Sequence, residues 1–168
     1  RGELIYKYRK LHLFPNGLEE DKYFTAGDDW GLVDTPWGRF GLAVCYDLRF
    51  QATIQNLALR GADTIVVPAQ WPTVRADHWY LLSRARATEN QLFLLACNRT
   101  GHDKSGKYPG CSMAVDALGQ VLAGGMEAKS PGVLLAEFDY TTLQHIRSAI
   151  PVYRDRKRIL DEIDDGQL

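Results

Sequence analysis

Two short apolar runs in the middle of the chain, residues 64–68 (Thr-Ile-Val-Val-Pro) and 92–97 (Leu-Phe-Leu-Leu-Ala-Cys), admit few folds. A strand that is apolar without alternation needs cover on both faces, and helices crossing a parallel sheet supply it. Between the two runs, Trp79, Leu82, Ala85 and Ala87 roughly mark one face and predict a helix over 75–90. Upstream, residues 39–44 make a third such run. Phe50, Ile54, Leu57 and Ala58 follow at helical spacing and predict a helix over 50–60, stopped by Gly61. The middle of the chain therefore reads β-α-β-α-β, an α/β domain layered with helices. In such a sheet a ligand sits beyond the carboxyl ends of the strands. Cys45, Ala69-Gln70-Trp71 and Asn98-Arg99 each follow a strand and can share that edge.

The flanks are less regular. Residues 4–9 have strand character, and 15–29 form a polar loop with a short turn. Residues 31–34 and 39–44 predict a hairpin through Thr35-Pro36-Trp37-Gly38, whose Pro and Gly suit a tight turn. Residues 101–110 read as a polar, glycine-rich loop without the spacing of a phosphate loop. A second hairpin is expected from 112–116 and 120–123, then a strand over 133–138 and a helix over 141–149 that stops at Pro151. The aromatic segment Pro151-Val152-Tyr153 reads as a docking segment for a partner subunit. With no linker, repeat or low-complexity stretch, residues 1–168 are expected to form a single domain.

Twenty basic residues face twenty-one acidic ones, so no strong field draws nucleic acid or an anionic membrane. The cluster Arg154, Arg156, Lys157, Arg158 is followed by Asp161, Glu162, Asp164 and Asp165, the pattern of a solvated C-terminal helix. No apolar run reaches membrane-spanning length. The three cysteines, 45, 97 and 111, have neither metal spacing nor an even-numbered disulfide framework. Cys97 and Cys111 lie in apolar runs and are expected in the core; free thiols point to a reducing cytoplasm. The chain begins at Arg1 with strand character already present, so further sequence is expected upstream.

Cys45 closes the strand run 40–44, just before a turn into a helix. A thiol there is held outward by the sheet edge and faces a helix N-terminus that favours thiolate. It reads either as a nucleophile or as a small residue plugging a strand end. Of the four histidines, His145 falls on a predicted helix and His102 in a loop, which makes a Cys–His pair the weaker alternative.

Lys10 lies in Tyr8-Arg9-Lys10-Leu11-His12-Leu13-Phe14. That segment, Gly27-Asp28, the run Gly41-Leu42-Ala43-Val44-Cys45-Tyr46-Asp47-Leu48-Arg49-Phe50 and Pro68-Ala69-Gln70-Trp71-Pro72 stand in an order that resembles the nitrilase (carbon–nitrogen hydrolase) superfamily. Arg84-Ala85-Arg86-Ala87-Thr88-Glu89-Asn90-Gln91 and Asn98-Arg99-Thr100-Gly101 extend the match, which runs from about Tyr6 to Arg156. Within the superfamily the chain most resembles the ω-amidases, which deamidate the side-chain amides of 2-oxo acids. The resemblance implies a four-layer αββα sandwich, here without its N-terminal portion.

The same resemblance implies roles. Cys45 attacks an amide carbonyl, Lys10 stabilises the oxyanion with the backbone N–H of Tyr46, ammonia leaves, and water hydrolyses the thioester. Glu20, shortly before Phe24-Thr25-Ala26-Gly27-Asp28, fits a family glutamate that keeps the lysine charged and oriented, with Glu19 as the fallback. From the residues alone, both glutamates read as a solvated loop. The family's general-base glutamate belongs before the lysine, where Glu3 is the sole acid, and Glu3 is not assigned to it. Trp71 either walls the pocket or packs as a core aromatic, and His78 and Trp79 are expected to pack. Arg49 either binds a substrate carboxylate or, as the favoured reading, pairs with Asp47. No metal or organic cofactor is implied, since thiol and ammonium suffice. The partners implied are a small-molecule amide and a second copy, as homodimer or higher homo-oligomer. Two other outcomes stay open: a non-catalytic nitrilase-like interaction module, and acyl transfer to an amine acceptor.

Overall fold

The computed structural model describes residues 2–15 and 19–156. After a four-residue helix α1 (Glu20–Tyr23), the chain forms a hairpin of β1 (Leu32–Thr35) and β2 (Gly38–Leu42). A 3-10 turn (Cys45–Arg49), helix α2 (Gln51–Leu59) and strand β3 (Thr64–Ala69) follow. A second 3-10 turn (Thr73–Arg75) leads into helix α3 (Ala76–Glu89) and strand β4 (Phe93–Asn98). Next come β5 (Thr100–Asp103), β6 (Gly106–Pro109), β7 (Met113–Val115) and β8 (Val121–Gly124), then α4 (Tyr140–Ala149) and α5 (Val152–Asp155).

Six strands make one sheet in the order β1-β2-β3-β4-β7-β8. The pairs β2–β3 and β3–β4 are parallel, and the flanking pairs are antiparallel. This is the β-α-β-α-β centre expected from the three apolar runs. Alternation splits the sheet into two faces. Ile65, Val67, Leu94, Ala96, Met113 and Val115 point to one of them. There they pack with Ile54, Leu57 and Ala58 of α2 and with Trp79 and Ala87 of α3 into the main core. Gly41 of β2 belongs to this face: a β carbon there would lie 2.3 Å from Ile65 Cδ1. A larger residue there would have to displace the end of the Ile65 side chain.

The opposite face is half covered. At the amino ends of the strands, Phe93 stacks on Phe138 (4.3 Å between ring centroids) and meets Tyr140 edge-on, while Leu143 of α4 is fully buried. Toward the carboxyl ends, Pro68 and its register partner Cys97 are exposed. Cys97 is thus on a sheet face and not in the core; Cys111 is half-buried against it. Of the expected four layers, the described residues supply the α2–α3 helical layer and one large sheet, with α4 covering part of the other face.

Three expected elements differ. Residues 4–9 run without ladder bonds, held by side chains: Tyr6 Oη donates to Asp29 Oδ2 (2.8 Å), and Arg9 bonds Asp28 (2.7 Å). Residues 133–138 form no strand, and Val133 and Leu135 point into solvent. A strand exists only with a neighbour to bond, and neither segment finds one among the described residues. Residues 101–110 lie mostly in the β5–β6 hairpin, not a loop, with Gly101 and Gly106 both at positive φ within its strands. Trp79 is buried as expected, but His78 is exposed. Tyr153, read as part of a docking segment, folds back so that its hydroxyl donates to the Asn90 carbonyl. The expected C-terminal helix lies largely outside the described residues. Among the described residues no helix is long and apolar enough to cross a membrane.

Candidate active site

Cys45 occupies the junction between β2 and α2. Its φ of +47° is left-handed, which for a residue with a β carbon costs of order 1–3 kcal/mol and persists only when the surroundings enforce it. Three groups enforce it. The Ala43 N–H still bonds Val66 O of β3 (3.1 Å), so the sheet fixes the approach. The Asp47 carboxylate accepts from the Val44 N–H (2.9 Å) and closes the turn. From below, the buried Arg86 of α3 donates to the carbonyls of Leu48 (3.1 Å) and Arg49 (2.9 Å), which end the 3-10 turn.

Asp47 also joins this turn to a distant segment. It is fully buried, and it accepts from Tyr8 Oη (2.8 Å) and from the backbone N–H of His12 (2.9 Å). His12 Nδ1 stands 2.9 Å from the same carboxylate, and its ring stacks on Phe50 at 3.6 Å. Lys10 lies between Tyr8 and His12, so this carboxylate anchors the lysine segment to the cysteine turn. The other edge of the segment is held by Gly27, whose N–H bonds Lys10 O (2.8 Å). A β carbon at Gly27 would sit 2.3 Å from the Arg9 carbonyl oxygen, so only glycine fits.

The Lys10 ammonium donates to Glu20 Oε2 at 2.6 Å, with the two side chains 12% and 18% exposed. The same oxygen accepts from the Phe14 N–H (2.9 Å). The solvated-loop reading of Glu20 is therefore wrong: α1 turns its carboxylate inward to the lysine. Glu19 instead bonds Lys22 at the surface.

Phe14, Glu20, Cys45, Tyr46, Gln70 and Trp71 line one cavity of about 190 Å3. Trp71 is nearly buried, and its position is set twice. Its backbone N–H donates to Asn98 Oδ1 (2.7 Å), and its indole N–H to Arg75 O (2.7 Å). It is at once cavity wall and core aromatic. The Tyr46 ring packs edge-on to Phe14 (5.0 Å) and Phe50 (5.1 Å). The structure thus brings Lys10, Glu20, Cys45, Tyr46 and Trp71 to the carboxyl edge of the parallel strands.

Two expectations are corrected. The expected lowering of the thiol pKa does not prevail: burial pushes the Cys45 pKa up, and this outweighs the lowering by the Gln70 backbone N–H and the Lys10 charge. Glu20 and Asp47 push it further up. A five-residue 3-10 turn supplies too little aligned dipole to reverse that. The second correction is that Asp47 does not pair with Arg49. Its acceptor sites are taken by Val44, Tyr8 and His12, while Arg49 lies over the Trp71 ring (4.7 Å) with a terminal nitrogen 3.3 Å from His78 Nδ1. Sequence reasoning missed Asp47 as anchor and Arg86 as brace; both stood in quoted motifs, but no local pattern named their partners. Among the described residues no group of three or more His, Cys, Asp and Glu gathers as a metal site.

A cysteine on a strained strand-to-helix turn, a buried lysine–carboxylate pair and one small cavity define a candidate thiol-dependent hydrolase. The chain belongs to the carbon–nitrogen hydrolase family, whose profile (Carbon-nitrogen hydrolase) matches residues 1–148. It is 37% identical over 159 residues to a 2-oxoglutaramate amidase of Bacillus subtilis, covering 95% of this chain and 60% of that protein. It is 38% identical over 175 residues to the chloroplastic omega-amidase of Arabidopsis thaliana, covering 99% and 47%. The crystal structure of Saccharomyces cerevisiae Nit3, a member of branch 10 of the nitrilase superfamily, superposes with a TM-score of 0.81 at 32% identity. That alignment covers 94% of this chain and 56% of Nit3. The fold is therefore the mixed α/β fold of that superfamily, and the chain spans about half to three-fifths of the length of these relatives.

Proposed function

We propose that the protein hydrolyses the C–N bond of a small-molecule amide, an ω-amide of a 2-oxo acid among the candidates, through a thioester on Cys45. The observation that carries this reading is a single cavity shared by the Cys45 thiol and by Glu20, the carboxylate bonded to Lys10. The thiol sulfur attacks the amide carbonyl and passes its proton to the nitrogen. The oxyanion forms against the Lys10 ammonium and the Tyr46 N–H. The C–N bond breaks and ammonia leaves. Water then cleaves the thioester, releasing a carboxylic acid and restoring the thiol. Glu20 holds the Lys10 ammonium in place through their 2.6 Å contact, and Trp71 walls the acyl group. The relatives named as amidases support the reaction class. The chain is read as one domain, and Tyr153, packed inside it, gives no support to a docking role for 151–153. Three free thiols favour a cytoplasmic setting, and the family's dimers favour a homodimer or higher homo-oligomer.

Replacing Cys45 by Ala in the intact protein should reduce ammonia release from a panel of small amides to background. Intact mass should show an acyl adduct in the parent protein and none in the variant. Unchanged turnover in Cys45→Ala refutes the assignment. Adding an amine acceptor separates water from amine as the second nucleophile.

A further inference from the structure

Strand β3 runs between β2 on one edge and β4 on the other. The backbone groups of successive strand residues point to opposite edges. Val66 turns toward β2, where its carbonyl accepts from the Ala43 N–H (3.1 Å). Ala69 turns toward β4, where its carbonyl accepts from the Arg99 N–H (3.0 Å). The β2 edge therefore receives the groups of residues 64, 66, 68 and 70. Pro68 has no N–H to offer. Gln70 has one, but the β2 register ends at Leu42↔Val66, and beyond it the chain leaves the sheet in the left-handed turn at Cys45. With no β2 carbonyl opposite it, the Gln70 N–H goes to the Cys45 sulfur. Burial raises the pKa of that thiol, and the Gln70 N–H opposes it more than the Lys10 charge does.

The Gln70 peptide is aimed by a residue outside the cavity. The β3–β4 register ends at Ala69↔Asn98. One step further, the Asn98 side chain takes the place of the ladder. Its Oδ1 accepts from the Trp71 N–H (2.7 Å), and its Nδ2 donates to the Trp71 carbonyl (3.1 Å). Asn98 is held in turn by Ser112, whose hydroxyl accepts from the Asn98 N–H (2.9 Å) and donates to its carbonyl (3.3 Å). Gln70 is thus strung between two fixed neighbours, Ala69 and Trp71. Asn98 is buried and does not line the cavity, and the hydrolytic reading leaves it without a task.

We propose that Asn98 is a positioning residue: by clamping Trp71 it aims the Gln70 N–H at the Cys45 sulfur, where that N–H steadies the negative charge the sulfur carries during the reaction. This rests on the amidase reading for its chemistry. Charge collects on the sulfur as its proton passes to the leaving nitrogen. It collects again when water attacks the thioester, the C–S bond breaks, and the sulfur leaves with the electron pair before regaining a proton. Lys10 and the Tyr46 N–H serve the oxygen of the tetrahedral intermediate; the Gln70 N–H serves the sulfur.

Gln70→Pro removes the N–H, and Gln70→Ala removes the side chain but keeps it. Ala69 already lies in a strand, the conformation a following proline requires. The readout is the pH dependence of Cys45 alkylation by iodoacetamide in the intact protein. Peptide mass spectrometry counts Cys97 and Cys111 apart. Lys10, Glu20 and Asp47, which also act on this sulfur, stay in place in every variant, as do Arg49 and Arg75 of the cavity. The midpoint should lie about one pH unit higher in Gln70→Pro than in Gln70→Ala, the effect of one lost hydrogen bond to the charged form. Asn98→Leu, close to asparagine in shape, should raise the midpoint in the parent protein and leave it unmoved in Gln70→Pro, because both changes remove the same contact. In both single variants kcat for small amides should fall about tenfold with KM little changed, the rate equivalent of that shift. A midpoint shared by Gln70→Pro and Gln70→Ala, or an Asn98→Leu shift that persists in Gln70→Pro, overturns the proposal. If Gln70→Pro does not unfold cooperatively in urea, Asn98→Leu decides alone, and a parent-like midpoint overturns it. Shifted midpoints without ammonia from any amide refute the amidase reading and leave the positioning role standing.

Discussion

Cys45 is shaped by groups that meet it only in space. Its left-handed backbone depends on Asp47 and Arg86, and its charge on burial, the Gln70 N–H and Lys10. A thiol whose pKa is raised in the folded protein keeps its proton to higher pH than a free cysteine. Its alkylation by iodoacetamide should therefore be slow at pH 7 and accelerate through a pH above the ordinary thiol range. Lys10→Met removes a lowering influence and should move that profile further alkaline. A rate already level at pH 7 would contradict the burial argument. The stability sign follows from linkage. The folded state holds this proton more tightly than the unfolded chain, so the contribution is complete below the ordinary thiol range and is lost as pH climbs through the raised value. At this scale the cysteine was legible, because strand, thiol and helix are contiguous. Glu20 was legible only through family pattern, since its lysine lies ten residues away across a turn.

The elements were read best where apolar continuity was strongest. Strands β3 and β4 and helices α2 and α3 fall within a few residues of the expected bounds, because each buries its own pattern against the next. The link from α3 to the cysteine turn was not readable. Arg86 lies on a helix otherwise marked by Trp79 and Ala87, and its acceptors are carbonyls 37 and 38 residues earlier. Backbone carbonyls carry no sequence signal. Arg86→Met would leave the Leu48 and Arg49 carbonyls unpaired in a nearly dry site, and Glu89 without its cation. The expected loss is about 2–4 kcal/mol of stability, read as a lower urea midpoint with unchanged m-value. A midpoint within about 0.5 kcal/mol of the parent, the range of ordinary surface changes, would show that the brace carries nothing.

For the molecule as a whole, the uneven cover of the sheet is decisive. One face is sealed by α2 and α3; the other leaves Pro68 and Cys97 exposed, and Leu4, Ile5, Val133 and Leu135 are also exposed, outside any strand. Monomeric proteins rarely expose large contiguous apolar areas. The 168-residue polypeptide on its own should therefore associate with rising concentration in sedimentation velocity and enhance the fluorescence of an apolar dye. A monomer that binds no dye would show that the described face is adequately covered.

The sequence by itself determined the alternating α/β order, the place of Cys45 at a strand-to-helix turn and, through motif order, the family. Those are local or serial properties, written in periodicity and spacing. Only the tertiary structure decided that Asp47 anchors the lysine segment, that Glu20 faces inward, that Arg49 leaves Asp47 for Trp71, and that burial pushes the thiol pKa up. Each depends on which donors, acceptors and apolar surfaces meet across long loops, and on how much water remains between them, quantities that no stretch of chain encodes alone.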